Sequence, residues 1–435
     1  MPDERTDPAV ARVGPVWKPR AGMPAGEPGR GLRPWWSFTL PPPCIAGYVL
    51  LSAFSVVYLP VLVADIDPRG HVLALATVST AGTLAVIVSQ PLVGWLSDRT
   101  RTRWGRRAPW IAAGAMGTAI LTPSLGNGAS VLGLAIVWAG VEAAVNLVRG
   151  PAVVLLVDRV PLERRGRISA GIFVSFVIGS ALGSVIVGPA LLDGAVEGWV
   201  LGAVIVVAAV PLVVGERVAE RDRISGARTD RDRADHDALA PIRVPRSEIV
   251  RVFFSRALMM LAYSMVMGFL LYTVRDHLGM EGAAAARWAG LIVVIALGSS
   301  LPAAIVAGLV VDRVGRHGTA ATGSLVAMAL AVLAAALAPG IPAMLVMAVI
   351  VGAAYGVHGP VERVIVSRMP RDAARTAGRD LGILQLATSA AQLLAPFTAA
   401  ALIEAAGYSA MYFSVAAALL VSAGLMWSVR ALRLP

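Results

Sequence analysis

Three polar residues are spaced along one helix face in a segment that is otherwise apolar. Glu142, Asn146 and Arg149 are separated by four and then three positions, which puts their side chains on the same side of an α-helix. A carboxyl group can take up and release a proton, while an amide and a guanidinium can donate hydrogen bonds to a solute. Ionisable residues in apolar segments usually mark a route for protons or solutes, although some only hold helices together. Both interpretations of Glu142 and Arg149 stay open at this point.

The same register recurs 209 residues later in the chain. Adding 209 to positions 142, 146, 149 and 153 gives Val351, Tyr355, His358 and Glu362. Polar positions thus recur on the matching face of a second apolar segment, and we expect both faces to line one cavity. Other apolar segments carry polar residues that could contact a solute or serve helix packing. These further candidates are Tyr48, Ser52, Gln385 and Gln392.

The composition identifies the medium in which these residues lie. Of the 435 residues, 57% are hydrophobic and 15% are charged, and the mean hydropathy is +0.72. Soluble domains are about 45–50% apolar and about 25% charged. A single cysteine excludes a disulfide framework, and five scattered histidines argue against a metal site. The net charge of +11 does not indicate nucleic-acid binding, because the charges lie in short clusters between long apolar segments.

Twelve apolar stretches are long enough to cross a bilayer as helices, which requires about 20 mostly apolar residues. A helix also satisfies the backbone hydrogen bonds within its own segment, as lipid requires. We therefore predict an all-α membrane protein of twelve transmembrane helices in two six-helix halves. The predicted spans are 44–64, 72–96, 109–124, 130–157, 167–189, 198–215, 252–274, 284–311, 319–338, 341–366, 380–403 and 408–429.

The alternation of arginine-rich loops predicts the orientation. Loop 97–108 carries five arginines and loop 158–167 carries four, whereas loop 125–129 carries no charge. Positive loops stay in the cytoplasm, so we expect both termini to be cytoplasmic and the protein to lie in the cytoplasmic membrane. The expected divisions are a disordered tail at 1–43, a first half at 44–215, a charged cytoplasmic linker at 216–247 and a second half at 248–435.

Two motifs occur twice in the same order, which indicates an internal duplication. The loop that begins Gly94-x-x-x-Asp98-Arg99 returns at Gly308, and Gly150-Pro151 returns at Gly359-Pro360. Two parallel six-helix repeats are transporter architecture, with the solute site between the halves. We predict that the repeated loops form a cytoplasmic gate, because glycines permit close helix approach and a carboxylate is favoured at a helix N-terminus. The predicted gate residues are Gly94, Asp98, Arg99, Arg106, Arg107, Asp158, Gly308, Asp312, Arg313, Arg316, Glu362 and Arg363.

The duplicated loop resembles the signature loop of the major facilitator superfamily, and this likeness covers the chain after residue 40. Residues 90–109 and 142–158 also resemble the sucrose–proton symporters and the related glycoside–pentoside–hexuronide cation symporters. The resemblance implies proton-coupled sugar transport. Those symporters carry an acid four residues before the asparagine, which here is Glu142, and an arginine at the position of Val153. Arg149, one turn earlier, is the candidate substitute for that arginine.

The sequence thus predicts a secondary active transporter, a monomer that carries a sugar or glycoside together with protons. The sequence lacks a Gly-x-x-x-x-Gly-Lys-Ser/Thr loop, so ATP is not expected to drive it. Two alternatives stay open: proton-coupled efflux of amphipathic compounds, and a transport-inactive membrane receptor or scaffold. We expect no enzyme activity, cofactor, metal or nucleic-acid partner, and the expected partners are a small solute, protons and the lipid bilayer.

Overall fold

A computed structural model describes residues 39–102, 104–127, 130–159, 162–192, 198–224, 246–314, 317–367 and 377–429. These residues form twelve long helices, if the first and fifth are each counted across an internal π turn and the helix Ala377–Trp427 is divided at Gly407. A short helical segment, 270–277, follows the seventh. The helices are α1 (Pro41–Ile66), α2 (His71–Arg99), α3 (Ala108–Leu121), α4 (Val131–Arg159), α5 (162–192), α6 (Gly198–Ile224), α7 (Arg246–Gly268), α8 (Gly282–Val314), α9 (His317–Leu337), α10 (Ile341–Ser367), α11 (377–406) and α12 (408–427).

Ten stretches of the described residues are long and apolar enough to cross a membrane. The last of them, Leu386–Trp427, has 42 residues and contains both α11 and α12. The chain turns between these two helices at Gly407, whose φ of 81° favours glycine. Helix α3 has only 14 residues, and a 3₁₀ turn of six residues, Thr122–Asn127, continues it. The prediction of an all-helical protein with many membrane spans is confirmed, and its twelve segments correspond to these helices.

The helix ends differ from the predicted spans where the chain leaves the apolar region. Helix α6 continues to Ile224 rather than ending at 215, and α7 begins at Arg246 rather than at 252. Charged residues such as Glu216 and Arg217 end a hydrophobic span without ending a helix, because arginine and glutamate are good helix formers. Two segments lie outside the described residues: residues 1–38 of the predicted tail and residues 225–245 at the centre of the predicted linker.

Glycines let pairs of helices pack backbone against backbone inside each half. On α5, a Cβ at Gly179 would lie 2.7 Å from the carbonyl oxygen of Ile45 on α1. On α10, a Cβ at Gly352 or Gly356 would collide with backbone oxygens of α8. Such contacts between small residues drive helix association in lipid. They place α1 and α10, which carry several of the predicted polar residues, at fixed positions in their halves.

The predicted topology can be tested by labelling single cysteines. In a Cys44→Ser background, Asp230→Cys lies in the predicted cytoplasmic linker, and Ser124→Cys lies on the exposed 3₁₀ turn after α3. We expect an impermeant maleimide to label Ser124→Cys in intact cells and Asp230→Cys only after the cells are opened, because arginine-rich loops stay inside. Labelling of Asp230→Cys in intact cells would show the orientation to be wrong.

Candidate functional site

A cavity of about 860 Å³ lies between the two halves. Its described wall is formed by α1, α2, α4 and α5 of the first half and by α7, α8 and α11 of the second. The wall reaches Gly94 and Ser97 near the end of α2 and Arg107 at the start of α3. The cavity therefore extends toward the face that carries the arginine-rich loop between α2 and α3.

Glu142 lies in the cavity wall, supported by a glycine on the neighbouring helix. A Cβ at Gly82 of α2 would lie 3.2 Å from Cγ of Glu142 and 2.5 Å from Nε1 of Trp138. Only glycine therefore leaves room for both side chains. Trp138 is one turn before Glu142 on α4 and lines the same cavity, although it is only 2% exposed. Glu142 and Trp138 thus line the cavity beside the same glycine.

Arg149 is anchored by an aromatic residue of α1. Its Nη2 donates a hydrogen bond to the hydroxyl oxygen of Tyr48 at 2.8 Å, and its Cζ lies 4.1 Å from the centre of the Tyr48 ring. The Tyr48 ring in turn packs edge-on against Phe176 of α5, with 4.9 Å between ring centres. A Cβ at Gly47 would lie 3.3 Å from Cδ of Arg149, so glycine again provides the space. The guanidinium group has five N–H donors and Tyr48 uses only part of them, so Arg149 can also bind a solute.

Asn146, between these two residues on the α4 face, contacts α2. Its Nδ2 donates to Oγ of Ser89 at 2.9 Å, and Asn146 is 7% exposed while lining the cavity. The side-chain oxygen of Asn146 is a further acceptor that could bind a solute hydroxyl. The three residues predicted from spacing thus share the wall of one cavity.

The matching positions on α10 are placed differently. The ring of Tyr355 stacks on Tyr263 of α7 with 5.0 Å between ring centres and an interplanar angle of 21°. Tyr263 lines the cavity, so Tyr355 stands behind it as a support. His358 is 1% exposed, and its Nδ1 lies 3.2 Å from Oγ of Ser324 on α9. In this conformation His358 packs between helices.

The other predicted contact residues divide between the cavity and helix packing. Ser52 lines the cavity and donates to the carbonyl oxygen of Ser180 on α5 at 2.9 Å. Gln392 of α11 also lines the cavity, whereas the side chain of Gln385 lies outside the described part of the chain. Spacing on α2 could have indicated more of the wall, because a polar stripe recurs there at roughly helical intervals. Its cavity residues are Ser79, Thr83, Gln90 and Ser97.

The predicted gate residues fall mostly outside the described side chains. Among those described, Arg107 lines the cavity and Arg99 stacks on Trp95, with Cζ 3.9 Å from the ring centre; Arg106 is exposed. Gly94 was expected to permit close helix approach, but no atom lies within 4 Å of its Cβ position, because the cavity opens beside it in this conformation. The gate side chains or residues that lie outside the described part are Asp98, Asp158, Gly308, Asp312, Arg313, Arg316, Glu362 and Arg363.

The opposite end of the cavity is closed by contacts between the halves. The Tyr272 hydroxyl, in the segment after α7, donates to the carbonyl oxygen of Pro60 on α1 at 2.8 Å. At the same end, His71 at the start of α2 contacts Asp276 in that segment. His71 and Asp276 were not predicted as site residues. Each lies at the edge of an apolar span, and the two are 205 positions apart in the sequence.

Solved structures share this fold at low sequence identity. The chain matches a peptide transporter, POT, in complex with sulfate (TM-score 0.66, 15% identity), over 92% of this chain and 95% of that one. It also matches a bacterial homolog of the human lysosomal transporter Spinster, in an inward-facing and unoccupied conformation (TM-score 0.62, 15% identity), over 92% and 98% of the two chains. Two halves of six helices around a central cavity are the fold of a major facilitator transporter.

The family is also shown by the sequence itself. The chain belongs to the family of MFS/sugar transport proteins, which it matches over residues 44–430. A segment is 29% identical to the sucrose transport protein SUC4 of Arabidopsis thaliana, over 27% of this chain and 25% of that protein. Another is 39% identical to an uncharacterized symporter of Synechocystis, over 16% and 12% of the two chains. The predicted superfamily resemblance is confirmed. The matched segments cover a quarter or less of these relatives.

Gly82 offers a test of the packing that positions Glu142. We expect Gly82→Ala to lower the free energy of unfolding by about 1–3 kcal/mol, because the added methyl overlaps Trp138 and overpacking has a cost of that size. Thermal unfolding of the purified protein measures the change. Gly94→Ala on the same helix is the control, since its Cβ meets no atom within 4 Å. Adding Trp138→Phe should restore stability to Gly82→Ala. An unchanged melting temperature in Gly82→Ala would contradict the contact.

Proposed function

We propose that this protein is a secondary active transporter that carries a sugar or glycoside in symport with protons by alternating access. The observation that carries the proposal is the face of α4, where Glu142 and Arg149 share the wall of a cavity between two halves. Family membership supports transport as the activity, and a sucrose transport protein and a symporter among the relatives support the solute class. In this proposal the protein acts as a monomer in the cytoplasmic membrane, with both termini inside.

The chemistry of the cavity wall suits a polyhydroxylated solute. Sugars present hydroxyls on their edges and apolar C–H groups on their faces. Arg149, Asn146 and Gln392 can exchange hydrogen bonds with hydroxyls. Tyr263, held flat by Tyr355, and Trp138 offer ring surfaces for the apolar faces. Binding sites of this kind combine aromatic walls with a few placed polar groups.

Glu142 is the group through which protons would couple to the solute. Protonation and solute binding must affect each other by a reciprocal free energy if one gradient is to drive the other. Glu142 lies about two helical turns, or roughly 10 Å, from Arg149, within the span of a single disaccharide. A solute that contacts both residues would sense whether the carboxyl group carries a proton. The membrane potential adds about 2.3 kcal/mol per charge per 100 mV to the driving force.

Replacing Glu142 by glutamine separates coupled from uncoupled transport. We expect Glu142→Gln to abolish protonophore-sensitive accumulation in proteoliposomes, whereas exchange of labelled for unlabelled solute persists, because exchange does not require return of an empty, deprotonated carrier. Uptake with and without protonophore measures this. Glu404→Gln, at an exposed position on α11 outside the described cavity wall, is the control and should accumulate solute as the parent does. Equal accumulation by Glu142→Gln and the parent would leave Glu142 a structural residue.

Arg149 and Tyr48 test the solute contact. A thermal-shift screen of the purified protein against mono- and disaccharides, phenyl glycosides and an amphipathic cation such as ethidium first identifies the ligand, since binding to the folded form raises stability. We then expect Arg149→Ala to abolish the shift. Tyr48→Phe should weaken binding by about two- to tenfold, the effect of one lost hydrogen bond, because the ring stays but the hydroxyl anchor is lost.

Tyr58→Phe, which removes a hydroxyl from the same helix, is the matched control and should bind as the parent does. Stabilisation by ethidium and not by any sugar would favour efflux of amphipathic compounds over sugar symport. Ligand binding without any transport would favour the receptor alternative.

A further inference from the structure

The His71 ring lies between two hydrogen-bond acceptors. Its Nδ1 is 3.0 Å from the carbonyl oxygen of Pro68, and its Nε2 is 3.0 Å from Oδ2 of Asp276. A carbonyl oxygen accepts only, and so does an ionised carboxylate. A neutral imidazole has one N–H and could satisfy one of these partners. Both contacts are hydrogen bonds only when the ring carries two protons, so a neutral ring loses one of the two.

The remaining partners of Asp276 favour its ionised form. Oδ2 also accepts a hydrogen bond from the hydroxyl of Tyr408 at 2.8 Å, and Oδ1 accepts one from Nε of Arg275 at 2.9 Å. Burial raises the pKa of Asp276, but the hydrogen bonds from His71 and Tyr408 and the charge of Arg275 outweigh it and hold the pKa below its usual value. The carboxylate therefore contributes to the contact above the usual aspartate pKa of about 3.9, and its contribution is lost only as the pH falls through the lowered pKa.

These side chains join elements that alternating access must separate. His71 begins α2 of the first half, Asp276 follows α7 of the second half, and Tyr408 begins α12. The cluster lies at the closed end of the cavity, on the face opposite the arginine-rich loop between α2 and α3. Positive loops are cytoplasmic, so this face is the outer one. The His71 and Asp276 side chains are 17% and 24% exposed, so a proton can reach them from that face.

We propose that His71 and Asp276 form a second proton-binding site, which holds the outer side of the transporter shut while the proton is bound. The inference rests on the alternating access of the proposed function but not on Glu142 or on the solute. Opening the outer side separates the two side chains and removes the charge-assisted hydrogen bond between them. Proton binding and outer closure therefore favour each other. Loss of the proton leaves the ring with one N–H for two acceptors, so the closed state loses this stabilisation.

The other titratable groups on the surrounding elements do not supply the same response. Asp67 accepts the backbone N–H of Gly70 at 2.9 Å, which fixes the turn before α2. His277 is the other histidine at this end, and its ring packs on Tyr408 with 5.8 Å between ring centres rather than against a carboxylate. The further charged or titratable groups on these segments are Asp65, Arg69, Tyr272, Arg275, Glu281, Arg287, Glu404 and Tyr408. His277 is the matched control because it is the same residue type at the same end of the protein.

A distance measurement across the outer side tests the proposal without requiring transport. In a Cys44→Ser background, nitroxide labels at Leu73→Cys on α2 and Ala405→Cys on α11 occupy exposed positions in different halves. Pulsed electron–electron double resonance on the full chain in lipid nanodiscs measures the populations of short and long label distances at pH 5.5 and pH 8. We expect the short distance to dominate at pH 5.5, with a minor longer-distance population. That population should be about fivefold larger at pH 8, the effect of one partly exposed charge-assisted hydrogen bond.

The variants separate this site from its neighbours. His71→Gln and Asp276→Asn should each remove the pH response, whereas His277→Gln and Glu142→Gln should retain it. Asp276→Asn should also show the longer distance at pH 5.5. Because either variant tests the contact, a folding failure of one leaves the other informative. Identical distance distributions for the parent at both pH values, or a response that survives in His71→Gln, would overturn the proposal. If Glu142→Gln lacks coupled transport but keeps the pH response, the outer site stands apart from the central one. A Glu142→Gln protein that accumulates solute normally and keeps the response would refute the coupling role of Glu142 alone.

Discussion

The cost of charge inside a membrane is the constraint on which the rest of this structure depends. A charged side chain at the bilayer centre costs about 2.5–3.5 kcal/mol on insertion scales, so Glu142 and Arg149 on α4 cannot face lipid without penalty. The two halves enclose a cavity that gives these residues polar surroundings. Gly47 on α1 and Gly82 on α2 lack side chains where Arg149 and Glu142 need room. The cost of placing these charges in the membrane thus accounts for the glycines on the helices beside them.

Much of the fold could be predicted from the sequence because the bilayer limits the possible elements. Apolar length alone indicated the helices, and the duplicated motifs indicated two halves. The helix ends differ from the predicted spans where lipid does not decide the structure. Helix α6 passes the last apolar residue and continues through charged ones, because helix propensity does not end with the membrane. Helix α3 is short, and a 3₁₀ turn completes its path.

The candidate site was predictable only as far as one helix could reveal it. Spacing on α4 placed Glu142, Asn146 and Arg149 on one face, since helical periodicity is a local property. Their partners Tyr48 and Ser89 come from other helices, and nothing local in the sequence pairs them. The duplication preserved the register of α10 but not its surroundings. His358 therefore packs on Ser324 at the position that corresponds to Arg149, and Tyr263, on a different helix, supplies the aromatic wall.

Two proton sites at different depths would do different work in one cycle. A carboxyl group in the central cavity is reached from whichever side is open, so its proton can travel with the solute. In the further proposal, the contact between His71 and Asp276 forms only when the start of α2 and the segment after α7 lie together, and both side chains are partly exposed. A proton at that contact would not be carried across; it would stabilise one conformation. Because the contact is partly exposed, it would bias the outer side toward closure in acid without locking it. In these proposals the fold would respond to external pH through a few hydrogen bonds at its rim, while the buried carboxyl group would perform the coupling.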